Sequence, residues 1–250
     1  MHSYDADFSH RASVPSLCKL FVEAAWRHAE QLGVGFRQLS AQRRFWVLSR
    51  MAVEVERYPS WGEEVTLVTW PRDAGSIFAL RDFEILSANG GRLVGGSSAW
   101  LVLDARTRRP QRMKPIAASI PALTHKSALN QDPEKLDPVK NGRQEMKTTA
   151  HYSAVDVNGH VNSVNYVSWI LDSYPLEFHR AHCVRSLQIN FLCETLGGEE
   201  ISVLTAKDRT GVFHHSIVKS AGQETCRALM RWEEVSACTP RAPTTGQAQG

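Results

Sequence analysis

The feature that most limits what this chain can become is an internal repetition. Trp61-Gly62-Glu63-Glu64-Val65 aligns with Gly197-Gly198-Glu199-Glu200-Ile201, so that Gly198 follows Gly62 by 136 residues. Each copy sits at the same point of a longer order: a short extended piece, one apolar-faced helix, then a run of strands. In the first half Leu17, Leu20, Phe21, Ala24, Ala25, His28 and Leu32 recur at helical spacing, and Gly33 and Gly35 end the run. Strands are expected within 43–55 and over 65–70, 77–86 and 93–103, with Asn89-Gly90-Gly91 the strongest hairpin signal. In the second half Val161, Val164, Val167, Ile170 and Leu171 predict a helix, with Asn162 or Ser163 as N-cap and Pro175 as terminator. Strands are then expected near 185–195, 200–207, 213–220 and 224–234.

One helix cannot close a core over several strands, but two copies of a sheet curled around its helix can pair. The expected class is therefore α+β, a tandem hotdog with halves at 1–113 and 144–235. Between them, 114–143 is expected to be a linker, since Pro115, Pro121, Pro133 and Pro138 break any periodicity. The Thr/Pro/Gln/Gly-rich stretch 236–250 is expected to be a disordered tail.

A charge of +3 is too small to point to nucleic acid as the main partner. No apolar run approaches the ~20 residues of a membrane span, and the start MHSYDADFSH lacks a signal-peptide pattern. The five cysteines are scattered without a CxxC pair, which indicates neither a disulfide framework nor a zinc site. Together these lead to the expectation of a cytoplasmic protein without metal or cofactor.

The chemistry concentrates at Asp156-Val157-Asn158-Gly159-His160. In an extended segment the acid, the carboxamide and the imidazole would project to one side. The alternative is a polar turn capping the next helix, with Asp156 and Asn158 bonding local backbone and His160 half-buried. A helix start offers unpaired N–H groups that suit a developing oxyanion, and Gly159 would let backbone approach a ligand. Before the first helix there is no such cluster, only Arg11 to Pro15, so chemistry is assigned to the second half. The 136-residue offset sets Tyr58 opposite Glu194. Regular strand alternation sends Cys193 and Glu194 to opposite faces, which favours Cys193 as a packing thiol.

The segment DVNGHVNSVNYVSWILDSYP (156–175) resembles the signature of the acyl-ACP thioesterases, plant-type and bacterial. So does RRFWVLSRMAVEVERYPSWGEEVTLVTWP (43–71), together with Leu80-Arg81-Asp82-Phe83 and Ser97-Ser98-Ala99-Trp100; the likeness runs over about 4–235. The resemblance implies a tandem-hotdog enzyme that hydrolyses fatty acyl-ACP to free fatty acid and holo-ACP, ending fatty acid synthesis. It places the catalytic groups on Asp156, Asn158, His160 and Glu194, and the oxyanion site on Asn158, Gly159 and the helix start at Asn162. Asp156 is left as either nucleophile or orienting group. The implied partner is an acyl carrier protein bearing the chain on 4′-phosphopantetheine, with neither nucleic acid nor membrane, the enzyme being monomer or homodimer. A basic surface at Arg180 and Arg185 would receive the acidic carrier, while the run Arg106 to Lys114 is read as a solvated face. Plant members have cysteine directly after the glutamate where this chain has Thr195. The lack of a plastid-type leader implies a bacterial member. The rival readings are an acyl-CoA thioesterase of the same fold and a non-catalytic acyl-binding protein.

Overall fold

The computed structural model describes residues 1–75, 77–113, 116 and 120–238. Strands β1 (Arg44–Val55), β2 (Val65–Ala74), β3 (Ala79–Ser87), β4 (Arg92–Asp104), β5 (Arg143–Thr149), β6 (His182–Phe191), β7 (Glu200–Lys207), β8 (Phe213–Lys219) and β9 (Glu224–Glu234) form one sheet. Their order is β2-β3-β4-β1-β6-β9-β8-β7-β5. The helices are α1 (Val14–Gln31), α2 (Phe36–Ala41), α3 (Ser163–Asp172), α4 (Leu176–Ala181) and α5 (Val235–Cys238). Sequence pattern anticipated the strands of both halves except β5, which falls where only a short extended piece was expected. The short α2 and α4 were not anticipated, because six residues carry too little periodicity. Pro175 does not simply stop a helix: α3 ends at Asp172, and Pro175 then serves as the N-cap residue of α4.

The halves meet where β1 pairs antiparallel with β6, and there Ala52 lies opposite Gln188. These two residues are also 136 positions apart, so the register and the sequence repeat share one pseudo-two-fold axis through that pair. Strand alternation then separates the two sheet faces. Met51, Val53 and Val55 of β1 and Leu187 and Ile189 of β6 are buried in one core cluster with residues of α1 and α3. Burial of each such side chain stabilises by about 1.5–3 kcal/mol. Arg81 and Asp82, neighbours on β3, go opposite ways. Arg81 Nη1 lies 2.8 Å from His28 Nδ1 of α1, whereas Asp82 Oδ2 accepts from Ala128 N at 2.8 Å.

The proline-rich connection is stitched onto the face away from the helices. Asn190, 3% exposed, accepts from Leu136 N and donates to Glu134 O, and Arg227 Nη1 donates to Leu136 O. Buried backbone groups of a loop need such partners. Farther along, Val235–Cys238 is helical rather than part of a disordered tail, and the remainder of that expectation, 239–250, lies outside the described residues. Cys183 is disulfide-bonded, which the scattered cysteines did not announce.

Two outcomes follow from this packing. A Cβ on Gly96 would fall 2.3 Å from Phe21 Cε2, and Phe21 is itself held by stacking on Phe83 at 4.7 Å. Gly96→Ala is expected to cost about 1–3 kcal/mol by overpacking, read from the urea midpoint. His215 is fully buried between Thr205 and Tyr174, and burial holds its pKa down to about 3. The unfolded chain takes up that proton near pH ~6.5, so this contribution to stability is complete above that pH and drains away as pH falls towards 3. Between pH ~6 and ~4 the unfolding free energy of the wild type should fall more steeply than that of His215→Gln, by up to ~1.4 kcal/mol per pH unit.

Candidate active site

Asp156 to His160 is a tight turn and not an extended segment. Gly159 N donates to Asp156 O at 3.0 Å, and Asp156 N donates to His160 O at 2.8 Å. Asp156 Oδ1 accepts from Asn158 N at 2.8 Å, and Gly159 takes φ +78°, a left-handed value that favours glycine. The expected one-sided alternation of Asp156, Asn158 and His160 is thus replaced by the turn reading, because an aspartate bonding two residues ahead closes a loop before a strand can extend. Asn158 is exposed, while Asp156 and His160 are half-buried.

The chain then returns alongside 195–196, with His160 bridged to Leu196 and Val161 N donating to Thr195 O at 2.8 Å. That return brings His160 Nε2 to 3.3 Å from Glu194 Oε2. Tyr166, in the first turn of α3, accepts from Thr195 N at 3.1 Å and fixes the backbone beside Glu194. Asn162 is the N-cap, its Oδ1 accepting from Val164 N at 3.0 Å. Asn165 Nδ2 donates to Ala154 O at 3.0 Å and ties α3 to the start of the turn. Two expected oxyanion donors are consequently unavailable: Gly159 N is bonded to Asp156 O, and Asn162 N to Ala154 O. The Asn158 side-chain amide remains from that group.

Arg108, from the first half, reaches the same carboxylate. Its Nη1 and Nη2 lie 3.3 and 3.4 Å from the two Glu194 oxygens, and its guanidinium sits over the Phe45 ring at 5.2 Å. An aspartate turn aims it: Asp104 Oδ1 accepts from Arg106 N, Thr107 N and Thr107 Oγ1, and Arg108 takes φ +57°. These bonds, that from Thr107 first, hold the Asp104 carboxyl below its usual range. The Asp104-to-Thr107 spacing was a legible turn signal. It did not say which residue the turn would face.

The two basic groups fall at different distances from Glu194. Arg180 pairs with Glu177 at 4.0 Å, and Arg185 donates to Glu56 O at 2.8 Å. Arg185 lies six residues before the end of β6 at Phe191, roughly 20 Å of extended chain, and Glu194 comes after that end. The 106–109 turn, read as a solvated face, holds the guanidinium that meets the carboxylate. Cys193 has its Sγ 3.4 Å from Glu194 O, and burial pushes its thiol up, away from the thiolate form a nucleophile needs. Trp26 is exposed, and Trp70 and Phe78 pair with Lys126 and Arg50; Trp100 packs on the main core. A cavity of about 570 Å³ lined by Arg50, Phe78, Leu80, Ala99 and Pro133 includes none of the polar cluster. Among the described residues no group of His, Cys, Asp and Glu could hold a metal, and no helix is long and apolar enough to cross a membrane.

The first half is not empty of a matching turn, contrary to the sequence expectation. Ser9 N donates to Asp7 Oδ1 at 2.8 Å, His10 N to Asp7 O at 3.0 Å and Asp7 N to Arg11 O at 2.8 Å, and His10 takes φ +56°. These bonds repeat those of 156–160, with Arg11 in the place of His160. The two turns match residue for residue at a spacing of 149, each preceded by a 3-10 turn, Ser3–Asp5 and Tyr152–Ala154, but only Asp7 and Asp156 are the same residue within them, which left little sequence signal.

Residues 1–119 match the family described as acyl-ACP thioesterase N-terminal domain, and 139–234 match its C-terminal domain. A chloroplastic acyl-[acyl-carrier-protein] hydrolase of Cuphea viscosissima is 25% identical over 269 residues, covering 99% of this chain and 64% of its own length. A chloroplastic palmitoyl-acyl carrier protein thioesterase of Gossypium hirsutum is 28% identical, covering 94% and 59%. The chain thus spans about three-fifths of the length of these curated relatives. The crystal structure of an acyl-ACP thioesterase from Bacteroides thetaiotaomicron superposes with TM-score 0.84 at 25% identity, covering 93% of this chain and 94% of that one. The 12:0-ACP thioesterase from Umbellularia californica gives 0.81 at 24% identity, covering 94% and 95%, and attests the hotdog fold.

Tyr166→Phe keeps the ring packing on Trp169 and Phe191 but leaves the buried Thr195 N–H without its acceptor. The expected cost is about 1–3 kcal/mol, measurable by chemical denaturation.

Proposed function

The chain belongs to the acyl-ACP thioesterase family, and on that premise we propose that it hydrolyses fatty acyl-ACP to free fatty acid and holo-ACP. The observation that carries the reading is the 3.3 Å contact of His160 Nε2 with Glu194 Oε2 at the end of the turn that holds the exposed Asn158. An ionised carboxylate offers about four acceptor sites, and Arg108 and His160 engage three. One is left to accept a proton from water. Glu194 then acts as general base, and hydroxide adds to the thioester carbonyl. The Asn158 amide donates to the oxyanion, the interaction that usually dominates such transfers. As the C–S bond breaks, His160 supplies the proton to the pantetheine thiolate, and the proton held by Glu194 resets the imidazole. The Asp156 bond to Asn158 N supports an orienting role for the aspartate over a nucleophilic one.

For the carrier, the structure favours the surface around Arg43, Arg106, Arg108 and Arg109, all exposed, with Ala105 N bonded to Arg43 O. An acidic protein docking there would place its prosthetic group at Glu194, and its association would be salt-sensitive. We assign the activity to the cytoplasm and to the ending of fatty acid synthesis, a reading that rests on the carrier-bound substrate. Pairing of two halves within one chain supports a monomer.

The test is thiol release from acyl-ACP and the matched acyl-CoA. Glu194→Gln should lose about 10²–10⁴-fold in kcat, while Cys193→Ala keeps activity. No turnover by the wild type on either carrier sinks the enzyme reading, and equal kcat/KM on both sinks the preference for ACP. Arg106→Glu with Arg109→Glu should raise KM for acyl-ACP with kcat little changed, whereas Arg180→Glu with Arg185→Glu should leave KM unaltered.

A further inference from the structure

The pseudo-two-fold axis that relates the halves gives the candidate active site a mate, and the mate is a real cavity. A pocket of about 280 Å³ opens beside the first-half turn, lined among others by Asp7, Arg11, Tyr58, Leu171, Leu176 and Trp232. Its construction repeats that of the active site. The turn that precedes a long helix supplies one wall, the residue matching Glu194 a second, and the other half of the chain a third.

The substitutions at the two matching positions change its chemistry in one direction. Arg11 stands where His160 stands, so an imidazole becomes a permanent cation. Tyr58 stands where Glu194 stands, its hydroxyl is committed to Val184 O, and burial pushes its pKa well up. The position of the Glu194 carboxylate is thus held by a phenol that is already bonded. Arg11 lies over the Tyr58 ring at 5.3 Å and makes no ion pair among the described residues. Of the lining aspartates, Asp7 Oδ1 accepts from Ser9 N, and burial pushes the Asp172 carboxyl up. Leu171, Leu176 and Trp232 supply apolar lining to the same pocket.

We propose that this cavity is a non-catalytic binding site for a fatty carboxylate, with the head group on Arg11 and the chain along Leu171, Leu176 and Trp232. A neutral thioester gives the guanidinium no charge to pair with, whereas the released acid does. The choice of a fatty chain rests on the proposed hydrolase activity; the anion preference rests on Arg11 alone. The site therefore discriminates product from substrate, the reverse of the catalytic one.

The experiment is equilibrium dialysis of labelled dodecanoate, below its micellar concentration, against the full chain carrying Glu194→Gln. Two bound molecules are expected, and Arg11→Gln in that background should remove one class or weaken it at least tenfold, while Arg11→Lys keeps most of it. Leu176→Glu, at a half-exposed position at the pocket, should act like Arg11→Gln, and methyl dodecanoate should not compete for the Arg11-dependent class. In the Glu194-intact protein, Arg11→Gln should leave initial thiol release from acyl-ACP unchanged. Binding that is the same in wild-type, Arg11→Gln and Leu176→Glu backgrounds overturns the site, whatever the enzyme activity. Arg11-dependent binding in a protein with no thioesterase activity overturns the hydrolase reading and leaves the site standing.

Discussion

Everything in this molecule hangs on the antiparallel pairing of β1 with β6. Hydrogen bonds from Arg50 opposite Asn190 to Glu54 opposite Ser186 turn two half-sheets into one, with Ala52 and Gln188 at the axis. Neither half has a second layer of its own beyond a single long helix, and a sheet face left bare would expose the row Met51, Val53 and Val55 to water. Joining the halves lets α1 and α3 share one continuous core, and it also puts a segment of each half beside the turn of the other.

That second consequence assembles the polar cluster. The acid at 194 and the imidazole at 160 belong to the second half, but the guanidinium that meets the acid is held by a turn after β4 of the first. Long, half-exposed ion pairs contribute little to stability. Their effect here is positional: three side chains from three separate segments converge because the start of β1 and the ends of β4 and β6 lie at one end of three adjacent central strands.

The same axis explains why the two ends of the molecule differ so little in backbone and so much in chemistry. Both helices are preceded by an aspartate turn with the same three hydrogen bonds and a left-handed residue, glycine in one and histidine in the other. A turn of this kind constrains only the aspartate and the left-handed position. The residue after it is free to vary, and His160 and Arg11 are the two outcomes. Two side chains on a common frame distinguish the two ends.

The sequence by itself determined the elements, their repetition and the residues of the second turn. Alternation and helical spacing are local properties, and Asp156, Asn158 and His160 stood out by their spacing, whereas Glu194 joined them only through the family resemblance. Short helices escaped because six residues hold no period, and the turn form of 156–160 escaped because alternation on paper does not report a side chain bonding its own backbone. Only the tertiary structure decided which basic run meets Glu194, that Gly159 N–H and Asn162 N–H are already bonded, and that Arg11 and Tyr58 occupy the mirrored positions. Those are distances between segments remote in sequence, set by strand register and the pseudo-two-fold axis, and no local pattern carries them.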